Sequence, residues 1–242
     1  MVRHGKEKKH NTQRDKQVRE AKKRRQVKTI RNWTLGILIV GFVFFVGFQI
    51  FQTASIDTSF LKPLSTTQVA ETDHTKGTGA IVIIEYSDFT CPACAFYAPI
   101  IDQLIDSHGD DVTFVYRHFP LRAAPSNSVN AARAVEAAGM QDAFWEMHDL
   151  LFERQAQWQA SNLATVLPGY ARELGLDEDQ FIEDYSSDYV RAIVEHQRQH
   201  AVQLNLGGTP AFFINGRRAT FSGDSAEEIY QNIVNEVELL LR

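Results

Sequence analysis

The stretch YSDFTCPACAFYAP, Tyr86 to Pro99, holds both cysteines of the 242-residue chain, Cys91 and Cys94. Two thiols at this spacing suit three chemistries: half of a zinc site, a redox dithiol, or two inert thiols in a core. Zinc takes about four ligands from Cys, His or carboxylate, and a C-x2-C pair ordinarily meets a second ligand pair elsewhere. There is no second cysteine pair, and among His74, His108, His118, His148, His196 and His200 only the last two are closely spaced. They fall at i, i+4 on a predicted helix face rich in Gln and Arg, which reads as solvated, so no metal is expected. Inert thiols, for their part, would not need Pro92 between a strand and a helix.

That proline is the informative residue. At a first helical position proline is already set for a helix start, so Cys91 sits at the N-cap, against unpaired N–H groups and the positive end of the macrodipole. A thiolate is stabilised there, its pKa falls below the free value of about 8.5, and it becomes a better leaving group and a competent nucleophile at neutral pH. Cys94, one turn on, is placed to close a disulfide. Glu85, six residues before Cys91 on a predicted strand, is costly to bury unless it is used or solvated. It is either a paired structural carboxylate or the group that moves the Cys94 proton. Far along the chain GGTPAFF places Thr209 and Pro210 at a strand start, as an ordinary edge feature or as a cis bond in a tight turn. Spacing does not choose between them.

The elements that position these residues follow from the apolar pattern. AIVIIEYS (Ala80 to Ser87) is a short β-branched run suited to a central strand. CPACAFYAPIIDQLIDSHG follows as a helix and DVTFVYRHFPL (Asp111 to Leu121) as a second strand. From about 126 to 206 the pattern is helical throughout, punctuated by Gly139, Pro168, Gly175 and Gly207. AFFI and RRATFSG flank Asn215 and Gly216, a pair that favours a two-residue hairpin turn. The last helix opens on a capping box, Ser225 to Glu228, and spaces Ile229, Ile233, Val237 and Leu240 for burial. A βαβ unit and a ββα unit are thus separated by an all-helical insertion. Phe144, Trp145, Phe152 and Trp158 lie at helical spacing and read mostly as core. His118, near the end of the second strand, is a candidate for an accessory role at the site.

EYSDFTCPAC, FVYRHFPL, FWEMHDLLFE, YARELGLD and GGTPAFFINGR, in that order, resemble the DsbA-like branch of the thioredoxin superfamily, specifically its membrane-anchored bacterial thiol:disulfide oxidoreductases. The similarity runs from about residue 78 to 240. It implies an α/β thioredoxin fold with a helical insertion, Cys91 as nucleophile, Cys94 as resolving thiol and Glu85 as the acid beneath them. It also implies that Pro210 is a cis-proline facing the disulfide, with Thr209 binding substrate backbone in strand-like fashion. The chain departs from the strongly oxidising members at Ala93, where they carry His: alanine offers the Cys91 thiolate neither charge nor hydrogen bond.

Charge and hydropathy divide the chain differently. Residues 1–31 carry thirteen Lys/Arg against three Asp/Glu, and the remainder twelve against 27. Between head and body lies WTLGILIVGFVFFVGFQIF, Trp33 to Phe51, nineteen residues without a charge. As a helix it rises about 28 Å, matching a bilayer core of about 30 Å. A core helix is seldom apolar on every face, and a 31-residue n-region is long for a signal peptide, although TAS (Thr53 to Ser55) keeps cleavage open. The expectation is one uncleaved membrane helix over 32–52, with a basic disordered head (1–31) in the cytoplasm under the positive-inside bias. A linker (53–78) and the catalytic domain (79–242) then stand outside a bacterial cell membrane. Orientation explains the basic head without a nucleic-acid partner.

The expected function is oxidation of thiols in reduced or unfolded secreted proteins, with no cofactor and with reoxidation by a membrane partner related to DsbB or vitamin K epoxide reductase. Two alternatives stay open: a reductase or isomerase on the same site, and a tethered chaperone-like binding module. The retention of Glu85, Pro92, Thr209 and Pro210 beside the thiols argues against the last.

Overall fold

The computed structural model describes residues 41–42, 58–121, 126–160 and 162–242. The expected head and membrane helix lie outside the described residues apart from Gly41 and Phe42, which are helical. Among the described residues no helix is long and apolar enough to cross a membrane. The chain divides into two compact units between Ser55 and Ile56, and the second carries every element named below.

In order these are β1 (His74–Lys76), β2 (Ile81–Ser87), α1 (Pro92–His108), β3 (Val112–His118), α2 (Asn127–Gly139), α3 (Phe144–Glu153), α4 (Gln155–Gln159), a 3-10 turn (Leu163–Thr165), α5 (Leu167–Glu173), α6 (Glu178–Ser186), α7 (Asp188–Gln203), β4 (Ala211–Ile214), β5 (Arg217–Ala219) and α8 (Ala226–Leu240). The βαβ unit, the helical block and the ββα unit appear where the pattern placed them. The strands form one sheet in the order β1-β3-β2-β4-β5. β2 runs parallel to β3, and the other neighbours pair antiparallel.

Side chains alternate across a strand, and both faces of the central strand are covered. Ile81 and Ile83 join Phe114, Tyr116, Phe212 and Ile214 under α1 and α8. Ile84 and Tyr86 face the other way with Val115, Phe213 and Ala201 of α7. Glu85 and Ser87, two and four residues beyond Ile83, therefore point to the α1 side. Burial of β-branched residues on both faces is what makes this strand an unbroken apolar run.

Local chemistry sets the connections. Asn215 (φ 46°) and Gly216 (φ 81°) both take left-handed backbone, as the expected hairpin turn requires. At Gly79 a Cβ would lie 1.7 Å from the Asp111 carbonyl carbon, so only glycine lets the chain enter β2 there. Ser225 Oγ accepts the Glu228 N–H at 3.2 Å, but the Glu228 carboxylate takes the Asp224 N–H at 2.8 Å instead of that of Ser225. Half of the expected capping box is thus shifted one residue upstream. α8 buries Ile229, Ile233 and Val237, whereas Leu240 is 41% exposed because the last turn runs past the core; Tyr230 and Val234 are buried in addition.

β1 lies inside the segment expected as a linker. Arg117 of β3, fully buried, donates to both carboxylate oxygens of Asp73 (2.9 and 2.7 Å), to the carbonyls of Ser65 (2.7 Å) and Gln68 (3.2 Å), and to Tyr86 Oη (3.0 Å). Burial works against its charge, and Asp73 more than restores it, so the guanidinium titrates above its ordinary range. Residues 65–76 are tied to the sheet by this one side chain and by the three-residue β1 ladder.

Candidate active site

β2 ends at Ser87 and α1 begins at Pro92, and the four residues between are held by side chains from three directions. The Asp88 carboxylate, 2% exposed, accepts the Thr90 N–H (2.8 Å) and hydroxyl (2.9 Å) on one oxygen. Its other oxygen accepts the Leu121 N–H (2.9 Å) and the Ser128 hydroxyl of α2 (2.7 Å). The Asp88 carbonyl takes the Cys91 N–H at 2.9 Å. From α4, Gln155 donates to the carbonyls of Phe89 (2.8 Å) and Cys91 (3.0 Å), and Gln159 to that of Thr90 (2.9 Å). Every carbonyl from 88 to 91 is thereby bonded, which fixes the angle at which the chain enters α1.

Cys91 is the N-cap of α1, with extended backbone and proline in the first turn. Both cysteines are free thiols. The Cys91 side chain makes no formal cap hydrogen bond, yet its pKa is lowered to about 5. The hydrogen bond from Cys94 is the largest cause, against partial burial, and the Thr209 side chain and the N–H groups of Cys94 and Ala93 add to it. As a thiol, Cys91 Sγ donates to the Thr209 carbonyl at 3.3 Å. The Thr209 hydroxyl has no partner in hydrogen-bond geometry, but it is near enough to the sulfur to favour the thiolate. The Thr209–Pro210 bond is cis, as the family resemblance implied. Pro92 and Ala93 are exposed beside the half-buried Cys91, so the Cys91 thiol is reachable while that of Cys94 is not.

Cys94 is 1% exposed. Burial, its hydrogen bond to Cys91 and the charge of Glu85 all push its thiol up. Glu85, 3% exposed, is raised to about 8, chiefly by burial, with the Ser87 hydroxyl acting against the rise and the Cys91 charge adding to it. Glu85 therefore holds its proton near neutral pH. The structure places Cys91, Cys94, Glu85, Pro92, Ala93, Thr209 and Pro210 in one neighbourhood at the end of β2, the start of α1 and the loop before β4.

Other candidates lie elsewhere. His118 is buried and bonds Glu136 at 2.8 Å, while half-buried His74 bonds the other oxygen of that carboxylate at 3.1 Å. Those two histidines hold Glu136 down to about 2 against its burial, and this makes His118 part of a core network around that carboxylate. His196 and His200 are half-buried rather than solvated, since α7 covers the second sheet face, and His200 Nδ1 is hydrogen-bonded to Tyr86 Oη at 2.6 Å. Phe144, Phe152 and Trp158 are core, as expected. Among the described residues no group of three or more His, Cys, Asp or Glu could hold a metal.

Asp88, Gln155 and Gln159 were not singled out from the sequence. Asp88 followed two residues later by Thr90 is an Asx-turn pattern that could have been read. The two glutamines lie over sixty residues away on a polar helix, and nothing local marks them.

Residues 82–234 match the DSBA-like thioredoxin domain. A thioredoxin-like oxidoreductase from Silicibacter pomeroyi DSS-3 superposes with a TM-score of 0.57 at 26% identity, over 69% of this chain and 94% of that one. BdbD from Bacillus subtilis superposes with a TM-score of 0.60 at 20% identity, over 74% of this chain and 100% of that one, which speaks to the fold alone. Among curated sequences, Na(+)/H(+) antiporter NhaA 1 of Mycolicibacterium vanbaalenii is 33% identical over 81% of this chain but only 32% of its own length. The chain spans about a third of that longer relative, and the antiporter name belongs to the longer protein. The described domain, its cysteine pair and the matched family model agree, and the chain belongs to the DSBA-like thioredoxin domain family.

Proposed function

We propose that the protein is a membrane-tethered, extracytoplasmic thiol:disulfide oxidoreductase that oxidises the thiols of secreted proteins through the Cys91/Cys94 couple. The observation that carries this reading is the split between the two thiols, Cys91 reachable and lowered to about 5, Cys94 buried and pushed up. A substrate thiolate attacks Cys91 Sγ of the enzyme disulfide, the Cys91–Cys94 bond breaks, and Cys94 leaves with the electron pair and takes up a proton. A second substrate thiolate attacks the substrate sulfur of the mixed disulfide, forms the product disulfide and releases Cys91 as a thiolate. Two electrons now reside on the enzyme, and a membrane partner of the DsbB or vitamin K epoxide reductase type removes them. Stabilising the Cys91 thiolate stabilises the reduced enzyme, which favours giving the disulfide away.

Glu85 supplies and recovers the Cys94 proton, Pro210 and Thr209 face the sulfur, and the Thr209 backbone is positioned for strand-like pairing with a substrate. The basic head and the apolar segment 33–51 fit a single-pass anchor with the head in the cytoplasm.

The test is the reduction potential of the pair together with trapping. A value near about −120 mV supports the oxidase and one near about −270 mV the reductase. Cys94→Ser is expected to accumulate mixed disulfides with client proteins and Cys91→Ser is not; equal trapping by both would refute the assignment of roles.

A further inference from the structure

Glu85 and Ser87 lie two residues apart on β2 and so present their side chains to the same face of the sheet, the face that packs against Cys94 of α1. Tyr116 stands directly across from Glu85 on β3 and belongs to the same buried cluster. All four groups are 3% exposed or less. Within this otherwise apolar layer, Ser87 Oγ and Tyr116 Oη are both buried without a partner in hydrogen-bond geometry. A buried hydroxyl left unpaired is expensive, and a native fold that keeps one has a reason in strain, catalysis or a bound ligand. The Ser87 carbonyl is taken by Phe119 N–H at 2.7 Å. The residue is thus anchored on β2, and its hydroxyl acts on Glu85, Cys94 and Tyr116 alike.

We propose that Ser87 is the proton relay between Cys94 and Glu85, its hydroxyl passing the proton that the carboxylate and the thiol exchange. This rests on the reading of Cys91 and Cys94 as a working dithiol. When substrate thiolate opens the enzyme disulfide, the sulfur of Cys94 leaves with the electron pair. It takes the Ser87 hydroxyl proton as Ser87 Oγ takes the proton of the Glu85 carboxyl, so Ser87 ends unchanged, Cys94 ends as a thiol and Glu85 as a carboxylate. In the reverse direction the Cys94 proton moves to Ser87 Oγ and the Ser87 proton to Glu85. The freed thiolate then attacks Cys91 Sγ of the mixed disulfide and expels the substrate sulfur. A hydroxyl suits this task because it donates and accepts at once. Tyr116, across from Glu85 on β3, closes the same buried layer.

The experiment uses the full chain in detergent, oxidised, reacted with a reduced dithiol peptide in single turnover across about pH 5.5 to 9. Ser87→Ala is expected to slow the Cys94-dependent step about tenfold or more and to change its pH profile. The midpoint for Cys91 alkylation by iodoacetamide should stay where it is in the wild type. Ser87→Thr, which keeps the hydroxyl, should restore the rate, and Ser87→Ala combined with Glu85→Gln should be no slower than the slower single variant. A Ser87→Ala protein with wild-type rate and pH profile overturns the relay, as does additive slowing in the double variant. Failure of the underlying reading looks different: the wild type itself would then exchange no disulfide with the peptide, or would do so equally well as Cys94→Ser. Removing the hydroxyl leaves no other group without its hydrogen bond, so loss of the fold is not the expected outcome, and unchanged melting in both variants verifies this.

Discussion

Glu85 is the residue at which chemistry and stability pull in opposite directions. Its carboxyl goes from 4.5 to about 8 on folding. Below about pH 4.5 both folded and unfolded chains carry the proton, and no penalty arises. As pH rises from 4.5 through 8 the unfolded chain ionises while the folded one retains its proton, so stability is lost across that window. At pH 7 the loss is about 3 kcal/mol. Glu85→Gln is therefore expected to raise the unfolding free energy read from a urea titration at pH 7 by up to that amount and to leave it nearly unchanged at pH 4, while slowing proton transfer at Cys94; equal gains at both pH values would mean that burial of the charge is not the cause. Cys91 titrates in the opposite sense. Its thiolate is favoured in the folded, reduced protein, a contribution fully present above about 9 and lost as pH falls through about 5. Ala93, exposed next to it, can accept a larger side chain without disturbing the core. Ala93→His should lower the Cys91 midpoint further and raise the potential by tens of millivolts, about 30 mV being a tenfold shift in the glutathione equilibrium. If neither quantity moved, control of the potential would lie elsewhere, with Thr209 as the first residue to test.

At the scale of elements, α1 and its N-cap carry the two thiols, but α4 decides how its first turn is held. Gln155 and Gln159 reach from the helical insertion to three consecutive loop carbonyls, which makes the insertion part of the site and not merely a cover over the sheet. Each neutral bond of this kind contributes about 1 kcal/mol, and a carbonyl stripped of its partner costs about 1–3 kcal/mol if water cannot replace it. Gln155→Ala is expected to lower stability by about 1–2 kcal/mol in urea and to speed amide exchange in the first turn of α1. Gln159→Ala, at the more exposed bond, should do less on both counts. Equal and negligible effects would mean that Asp88 alone holds the loop. Helix starts and the hairpin were legible because their determinants are local: Pro92 at N1, Ser225 at an N-cap, Asn215 and Gly216 at two left-handed positions. β1 was not, because three residues of mixed character become a strand only when β3 is there to pair with them.

For the molecule as a whole, Arg117 is the pin between the leading segment and the sheet. It and Asp73 are both fully buried, and removing one partner of such a pair leaves an uncompensated charge. Arg117→Met is expected to cost about 3–5 kcal/mol, readable in a urea titration, and to expose residues 65–73 to protease. Replacing Asp73 with Asn in the same chain should recover part of that loss, since the second charge is then gone; no recovery would place the cost in the lost carbonyl bonds of Ser65 and Gln68. The pin sits on the sheet face opposite Cys94, so neither variant should move the alkylation midpoint of Cys91.

What the sequence by itself determined is what depends on near neighbours along the chain. The apolar run of β2, the proline that starts α1, the thiol at its N-cap and the turn residues of the hairpin each follow from backbone preference and periodicity over a few positions, and family resemblance added the cis bond before Pro210. Only the tertiary structure decided what depends on residues brought together from a distance. Cys94 and Ser87 meet because a strand and the helix after it fold onto one face. Gln155 reaches the loop sixty-four residues before it, and Arg117 finds Asp73 forty-four residues upstream. His118 turns away from the thiols toward Glu136 for the same reason. Burial, which lifts Glu85 and silences Cys94, is a property of the packed layers around them, and no spacing in the chain encodes it.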